Sequence, residues 1–470
     1  MDTISLFDCV SPLDFRYYGG DERVFKLLSP YVSEAARVRS EAGVEAALVR
    51  VLARRGLCSQ ADADAIERAC HNVTPEEVAA EEQRIHHNIR ALVNCIRERV
   101  PEETRRFVHW TLTSFDVIDT AMAARFKAAT VEVVVPSLRE LEGVLITLAE
   151  REAETLQMGR THGQHAVPIT FGFAIAEHVA RLGERIVALL GAARRLTGKI
   201  SGAVGAYNAS SLFLDDPLRF EREVLAELAL EPGSHSTQIV AAEPLCDLIH
   251  VLTSCLGVMA NLADDMRHLQ RSEIAEVGEA FEKDQVGSST MPHKRNPWNF
   301  ENVKAFFKAF APRMVTMYLD QLSEHQRDLT NSATGRFLPE LVVAVVCCAD
   351  RLRRIMSKLV VDRGSLERNL ELSGRMVLAE PLYIILAGLG HPDAHEAVRR
   401  LTLKAETEGR PLMDVLSEHS DLAPYVARMT ESQRAVLSDY RLYTGKATEK
   451  ARLVCEEWRR KLGDEGVREA

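Results

Sequence analysis

The chain has 470 residues, 46% of them hydrophobic and 27% charged, enough to bury a large core over more than one domain. Its formal net charge of −10 argues against a nucleic-acid partner, which would call for a basic stripe or patch; the cluster Arg459-Arg460-Lys461 sits among acidic residues and reads as a solvated helix face. The apolar run 341–348 is far too short to cross a bilayer, and Met1-Asp2-Thr3-Ile4 opens no basic segment with an apolar stretch behind it. No membrane partner is expected, and the cytoplasm is the expected compartment.

Helical periodicity dominates the chain. Gly19-Gly20 breaks the N-terminal segment, and Pro101 parts one helical stretch from the next. Leu138, Leu141, Leu145 and Leu148 recur at steps of three and four. Ile175, Val179, Leu182, Ile186, Leu189 and Ala193 repeat the pattern, and a third stripe runs from Leu245 to Leu269 without a proline. A fourth takes in Val303, Phe306, Phe307, Phe310, Met314 and Met317. Such stripes are the buried faces of helices, some longer than the globular average, while alternating strand patterns are nearly absent. The predicted fold is all-α, built around a long-helix bundle. Shorter helices take over near 361–374. The expected division is an N-terminal helical domain over 1–111, a central bundle over 112–364 and a C-terminal helical domain over 365–470. The 9 cysteines include no CxxC pair, and scattered cysteine inside helical patterns suits a reducing compartment.

Three polar stretches rich in Gly, Ser, Thr, His and Asn interrupt the helices, at 159–168, 198–217 and 278–297, and loops on a rigid scaffold are where chemistry concentrates. The densest runs Gly287-Ser288-Ser289-Thr290-Met291-Pro292-His293-Lys294-Arg295-Asn296-Pro297. It lacks the glycine spacing and GK[ST] ending of a P-loop. Lys294 and Asn296 supply two carboxylate-binding donors near two hydroxyls, a combination that fits an anion-binding catalytic loop or, more plainly, a polar linker. Gly198-Lys199-Ile200-Ser201 is no Walker motif. His162 and His165 are three apart and His86-His87 adjacent, but no HExxH or Cys/His quartet exists, so no metal is expected.

The loop at 287–297 resembles the signature GSSxMPxKxNP of the fumarase/aspartase superfamily. Thr111-Leu112-Thr113-Ser114-Phe115-Asp116-Val117-Ile118-Asp119-Thr120-Ala121 resembles the superfamily's first region, and Gly159-Arg160-Thr161-His162-Gly163-Gln164-His165-Ala166-Val167-Pro168 its second, in the same order along essentially the whole chain. Two further segments resemble the adenylosuccinate lyase branch: Ser11-Pro12-Leu13-Asp14-Phe15-Arg16-Tyr17, and Gln326-Arg327-Asp328-Leu329-Thr330-Asn331-Ser332 with Arg336. Two arginines and a hydroxyl give forked donors suited to a phosphate dianion.

The resemblance implies a three-domain helical fold with a twenty-helix core in a homotetramer, and active sites that draw the three signature regions from three subunits. It implies β-elimination of fumarate from succinylated purine nucleotides, adenylosuccinate and SAICAR, with no cofactor. By correspondence Ser288 is the base, His162 the general acid and Glu301 its carboxylate partner. Lys294 and Asn296 hold the succinyl carboxylate that accumulates charge, and Ser289 is a hydrogen-bonding substrate contact. His87 is a second candidate for the final proton, flanked by His86 and Asn88 where the family usually has arginine and aspartate, so any role needing a carboxylate at position 88 is in doubt. His109, Thr113, Ser114 and Gln238 are expected substrate contacts, and Arg16, Tyr17, Arg327, Ser332 and Arg336 the phosphate clamp. Argininosuccinate lyase is the competing enzyme, and a crystallin-like structural protein on the same fold the competing non-enzyme.

Overall fold

The computed structural model describes residues 6–281, 288–373 and 376–463. Met1 to Ile4, Gly287 of the Ser-Ser loop, Gly374 and residues 464–470 of the last expected domain lie outside the described residues. The first helices, α1 (Glu22–Val32), α2 (Glu34–Arg54), α3 (Gln60–Asn72), α4 (Pro75–Ile85) and α5 (Asn88–Arg97), begin after Asp21, Ser33, Ser59, Thr74 and His87. Each of those side chains accepts a backbone N–H that the helix leaves without a partner, and Ser59 with Asp62 and Thr74 with Glu77 close reciprocal capping boxes.

The main bundle follows. Helix α6 (Ser114–Ala129) runs through a π-helical turn at Thr130–Val134 into α7 (Val135–Arg151). Pro136 has no N–H to offer the carbonyl one turn back, and the helix widens there. Then come α8 (Phe171–Arg194), α9 (Pro217–Ala226), α10 (Glu243–Leu269), α11 (Trp298–Phe310), α12 (Arg313–Leu319) and α13 (Thr334–Met356). Helix α7 packs on α8 and α13, α8 on α10, and α10 on α11 and α13. Leu138, Leu141 and Leu145, Val179, Leu182 and Ile186, and Leu248, Leu252 and Leu256 are all buried, so the predicted stripes are core faces. By length and composition α10 alone among the described residues would pass for a membrane span, but 67% of its apolar window is buried in the bundle.

Two expectations need correction. The fourth stripe is two helices, because the chain turns at Ala311-Pro312 and Pro312 cannot continue the ladder of α11. The polar stretch 159–168 is not an open loop but most of an antiparallel hairpin, β1 (Leu156–Thr161) with β2 (Gln164–Thr170). Its pattern is hard to see because the register shifts between Met158 and Arg160. Two-residue strands form two smaller pairs, β3 (Thr197–Gly198) with β4 (Glu231–Pro232) and β5 (Val277–Gly278) with β6 (Val360–Val361).

Beyond α14 (Arg363–Ser373), five short helices follow: α15 (Ala379–Gly388), α16 (Ala394–Glu408), α17 (Leu412–Ser417), α18 (Ala423–Ala427) and α19 (Glu431–Ser438). They enclose a second, smaller core, which Met158 of the hairpin joins. The last helix, α20 (Ala447–Lys461), returns to the main core and lays Ala451, Cys455 and Trp458 against α7 and α8. All nine cysteines are free thiols, seven of them buried.

The seat of α20 depends on Gly183, where a Cβ would stand 2.3 Å from the Trp458 ring. Gly183→Ala should therefore force the indole or the helix to shift and cost about 1–3 kcal/mol. Urea unfolding measures this, and an unchanged midpoint would show that α20 is not seated as described.

Candidate active site

At the start of α6 a buried carboxylate gathers three chain segments. Asp116 Oδ1 accepts from Lys199 Nζ at 2.5 Å and from the Ser201 N–H at 3.0 Å, while Oδ2 accepts from the Thr113 N–H at 2.8 Å. Lys199 is buried and also donates to the Gly202 carbonyl, and Thr120 Oγ1 takes the Lys199 N–H. Thr113 and Ser114 are thereby fixed against the stretch that follows β3. Ser201 Oγ lies 2.8 Å from Ser236 Oγ, and one helical turn beyond Asp116 the Asp119 carboxylate accepts the Val240 N–H at 3.0 Å, two residues past Gln238. Burial pushes the Asp119 carboxyl up to about 6, against the opposing pull of the Val240 N–H and the Arg327 guanidinium. That guanidinium lies 5.0 Å above the Phe115 ring and donates to Asn331. Thr113, Ser114, Gln238 and Arg327 thus share one corner, and Ser332 stands exposed on the turn before α13 and Arg336 exposed on the first turn of α13.

His109 borders this corner. Its Nδ1 is 2.6 Å from Glu45 Oε1, and its N–H donates to Glu45 Oε2 at 2.8 Å. His86 closes α4 in the left-handed conformation at φ 57°, and His87 caps α5 by accepting the Arg90 N–H on Nδ1. The neutral His87 ring therefore carries its proton on Nε2. Asn88 is the first residue of α5.

His162 and Gly163 are the two central residues of the β1–β2 turn, at φ 55° and 74°. Two successive positive φ values define the turn that matches strand twist in a tight hairpin; Gly163 adopts its value at no cost, whereas His162 carries strain. The imidazole is held out at the exposed tip. His165, further along, sets Nδ1 2.9 Å from Ser373 Oγ, and burial together with Arg160 lowers its affinity for a proton.

In the Ser-Ser loop, Ser288 Oγ accepts N–H bonds from Met291 at 3.1 Å and Thr290 at 3.4 Å. Ser289 and Lys294 are exposed, the Lys294 N–H returns to the Met291 carbonyl, and Asn296 is half-buried. Glu301 is exposed on the first turn of α11. On the next residue, Asn302 Nδ2 donates to Tyr17 Oη at 3.2 Å, and the Tyr17 ring meets Phe306 edge-on. Arg16 and Tyr17 line a cavity of about 1020 Å³ together with Trp298, Asn299 and Arg351. Among the described residues no hydrogen bond or ion pair links His162 to Glu301 or to Ser288 within the chain, and no group of three or more His, Cys, Asp or Glu is arranged to hold a metal ion. Glu45 was not singled out from sequence, Asp116 and Asp119 entered only as members of the first signature region, and Lys199 only in a stretch that fits no Walker motif, with no indication that it pairs with Asp116.

Residues 16–308 match a lyase family, and residues 323–431 match the adenylosuccinate lyase C-terminal family. An adenylosuccinate lyase of Pyrococcus horikoshii is 36% identical over 95% of this chain and 97% of its own. The chain belongs to the adenylosuccinate lyase family. A member from Archaeoglobus fulgidus is 33% identical over 88% of this chain and 92% of its own. Among solved structures, a 3-carboxy-cis,cis-muconate lactonizing enzyme from Pseudomonas putida superposes with a TM-score of 0.80 at 25% identity, covering 96% of this chain and 99% of that one. A fumarate lyase from Mesorhizobium sp. BNC1 gives 0.79 at 23% identity, over 93% and 98%. The chain thus shares the mostly helical fold of these two enzymes.

The His109–Glu45 pair makes a pH prediction. Burial alone would lower the His109 pKa, but the Glu45 carboxylate, aided by Asp116, outweighs it and the net shift is upward. A raised imidazole adds stability that is complete below the unfolded value of about 6.5 and fades as pH climbs through the higher folded value. The stability gap between wild type and Glu45→Gln, read from urea midpoints, should be widest below about pH 6.5 and narrow above it. A gap that stays flat with pH would discard the pair.

Proposed function

We propose that the chain removes fumarate by β-elimination from adenylosuccinate, giving AMP, and from SAICAR, giving AICAR, as a step of purine nucleotide biosynthesis in the cytoplasm. The observation that carries this reading is the match over 323–431, which contains Arg327, Ser332 and Arg336. Two guanidiniums and a hydroxyl suit a phosphate dianion, and argininosuccinate has none. Arg16 and Tyr17 complete the clamp.

A base takes the proton from the carbon beside a succinyl carboxylate, charge builds on that carboxylate, and an acid protonates the departing nitrogen. Ser288 is the base. A serine hydroxyl is a poor one in water, and two backbone N–H groups already aimed at its Oγ support an alkoxide there. Lys294 and Asn296 hold the carboxylate that accumulates charge, and Ser289 hydrogen-bonds the substrate. His162 is the acid and Glu301 its partner, while His87, with a proton on Nε2, remains the alternative donor. His86, Asn88, His109, Thr113, Ser114 and Gln238 contact the substrate.

These groups meet in a homotetramer whose sites each draw on three subunits. The apolar side chains of Val315, Tyr318, Leu319, Leu322, Leu329 and Phe337 support such an interface: they cluster around α12 and the start of α13 and are 49% to 74% exposed. The division at 111/112 and 364/365 belongs to the same reading.

Ser288→Ala should lower turnover of adenylosuccinate about a thousandfold or more, followed by fumarate release, while calorimetric binding of the substrate persists. Near-normal turnover removes Ser288 as base. Arg336→Ala should raise KM for adenylosuccinate about 10- to 100-fold through loss of one charged fork, and an unchanged KM rejects the clamp.

A further inference from the structure

Two carboxylates outside every signature stand three residues apart between α10 and the Ser-Ser loop. Glu276 is fully buried and collects four donors: Arg160 Nη2 at 2.6 Å and Nη1 at 3.2 Å, Gln157 Nε2 at 2.8 Å and Asn369 Nδ2 at 2.8 Å. Its backbone carbonyl accepts the Asp362 N–H at 2.9 Å. Arg160 and Gln157 belong to β1, and Arg160 stands two residues before His162. One side chain therefore grips the His162 hairpin with a forked, charge-assisted pair.

Glu279, 5% exposed, faces the other way. It accepts from Asn299 Nδ2 at 2.6 Å and from the N–H groups of Asn299 at 3.1 Å and Phe300 at 3.2 Å, so it caps α11 from across the loop. Its own N–H donates to Gln270 Oε1, and Gln270 Nε2 donates to the Arg295 carbonyl, both at 3.2 Å. The chain before the loop is clasped at three points to the chain that leaves it, and Ser288, Lys294 and Asn296 all lie inside the clasp. Val277 and Gly278 join the two carboxylates as β5, which pairs with β6. A buried carboxylate held by several donors cannot move without stranding them, so both grips are stiff.

We propose that Glu276 and Glu279 are positioning residues: a short strap that fixes within each chain the hairpin bearing His162 and the neck of the loop bearing Ser288, Lys294 and Asn296, which that chain delivers to different sites of the proposed tetramer. This rests on the roles given to those four residues above. A displacement near one ångström at a reacting group costs about a hundredfold in rate. In the full-length protein, Glu276→Gln should lower kcat for adenylosuccinate about 10- to 100-fold with KM changed less than about threefold. Glu279→Gln should lower kcat by a similar factor and also raise KM, because the carboxylate donors shift. The double variant should lose less than the product of the two single losses, as one shared strap requires. A merely structural role would lower the melting temperature without this division between kcat and KM. His162→Ala, assayed in parallel, separates the two ideas: wild-type turnover there sinks the role of His162 itself. If His162→Ala is inactive while either glutamine variant keeps wild-type kcat, or the double loss is simply multiplicative, the strap is overturned. Should Glu276→Gln fail to fold, Arg160→Lys gives up the fork but keeps the charge and carries the same expectation and the same refutation.

Discussion

Opposite charges on Asp116 and Lys199 lie together almost out of reach of solvent, at the point where α6 begins. Desolvating such a pair is expensive, and the mutual attraction offsets that cost only where the remaining lone pairs and protons are also satisfied. Here they are: backbone N–H groups of Thr113, Ser201 and Gly202 complete Asp116, and the Gly202 carbonyl takes a second proton of Lys199. Removing either partner would leave a lone buried charge, a loss of about 3–5 kcal/mol. The first turn of α6, the stretch after β3 and, through Ser201 and Asp119, the segment around Gln238 are all located by this one contact. Residues far apart in sequence come to share a corner because a carboxylate had to be paid for with donors from each of them.

The bundle was legible because helix faces repeat locally: the stripes of α7, α8 and α10 need no knowledge of their neighbours to be recognised. Where the signal was not local, the reading stopped. The hairpin at 156–170 escaped because a shift in register and the residues Gly159, Arg160 and Pro168 hide its alternation. The break at Pro312 was passed over because Met314 and Met317 continue the apolar rhythm of α11. Of the candidate site, the residue types and their order could be read from motifs, but the groups that hold them could not. Lys199 sits in a stretch that resembles no binding motif, Glu45 is one of three glutamates on α2, and Glu276 meets Gln157 from 119 positions away. A buried carboxylate has no sequence signature apart from the partners that tertiary structure brings to it.

Within a single chain the groups proposed for the chemistry are distributed rather than assembled. The hairpin holds His162 at an exposed tip, the Ser-Ser loop presents Ser289 and Lys294 to solvent, and the corner at α6 carries Arg327 with its Nε buried and unbonded. On the proposed roles, a carbanion formed at any of these surfaces would be reprotonated by water, so that proposal requires them to be covered. The positive φ at His162, in a residue with a Cβ, is compatible with the acid role proposed for it.

The return of α20 to the main bundle bears on how the chain comes to be folded at all. Cys455 Sγ reaches the Ile146 carbonyl across 309 positions, and Trp458 fills the notch at Gly183. During synthesis, α7 and α8 leave the ribosome long before their covering helix exists, so their apolar flank stays open until residues 447–461 have been made. Closing so long a loop is slow compared with forming local helix pairs. The nascent bundle must therefore wait with an uncovered face, and a chain truncated shortly before residue 447 would keep that face exposed as a site for aggregation or chaperone capture.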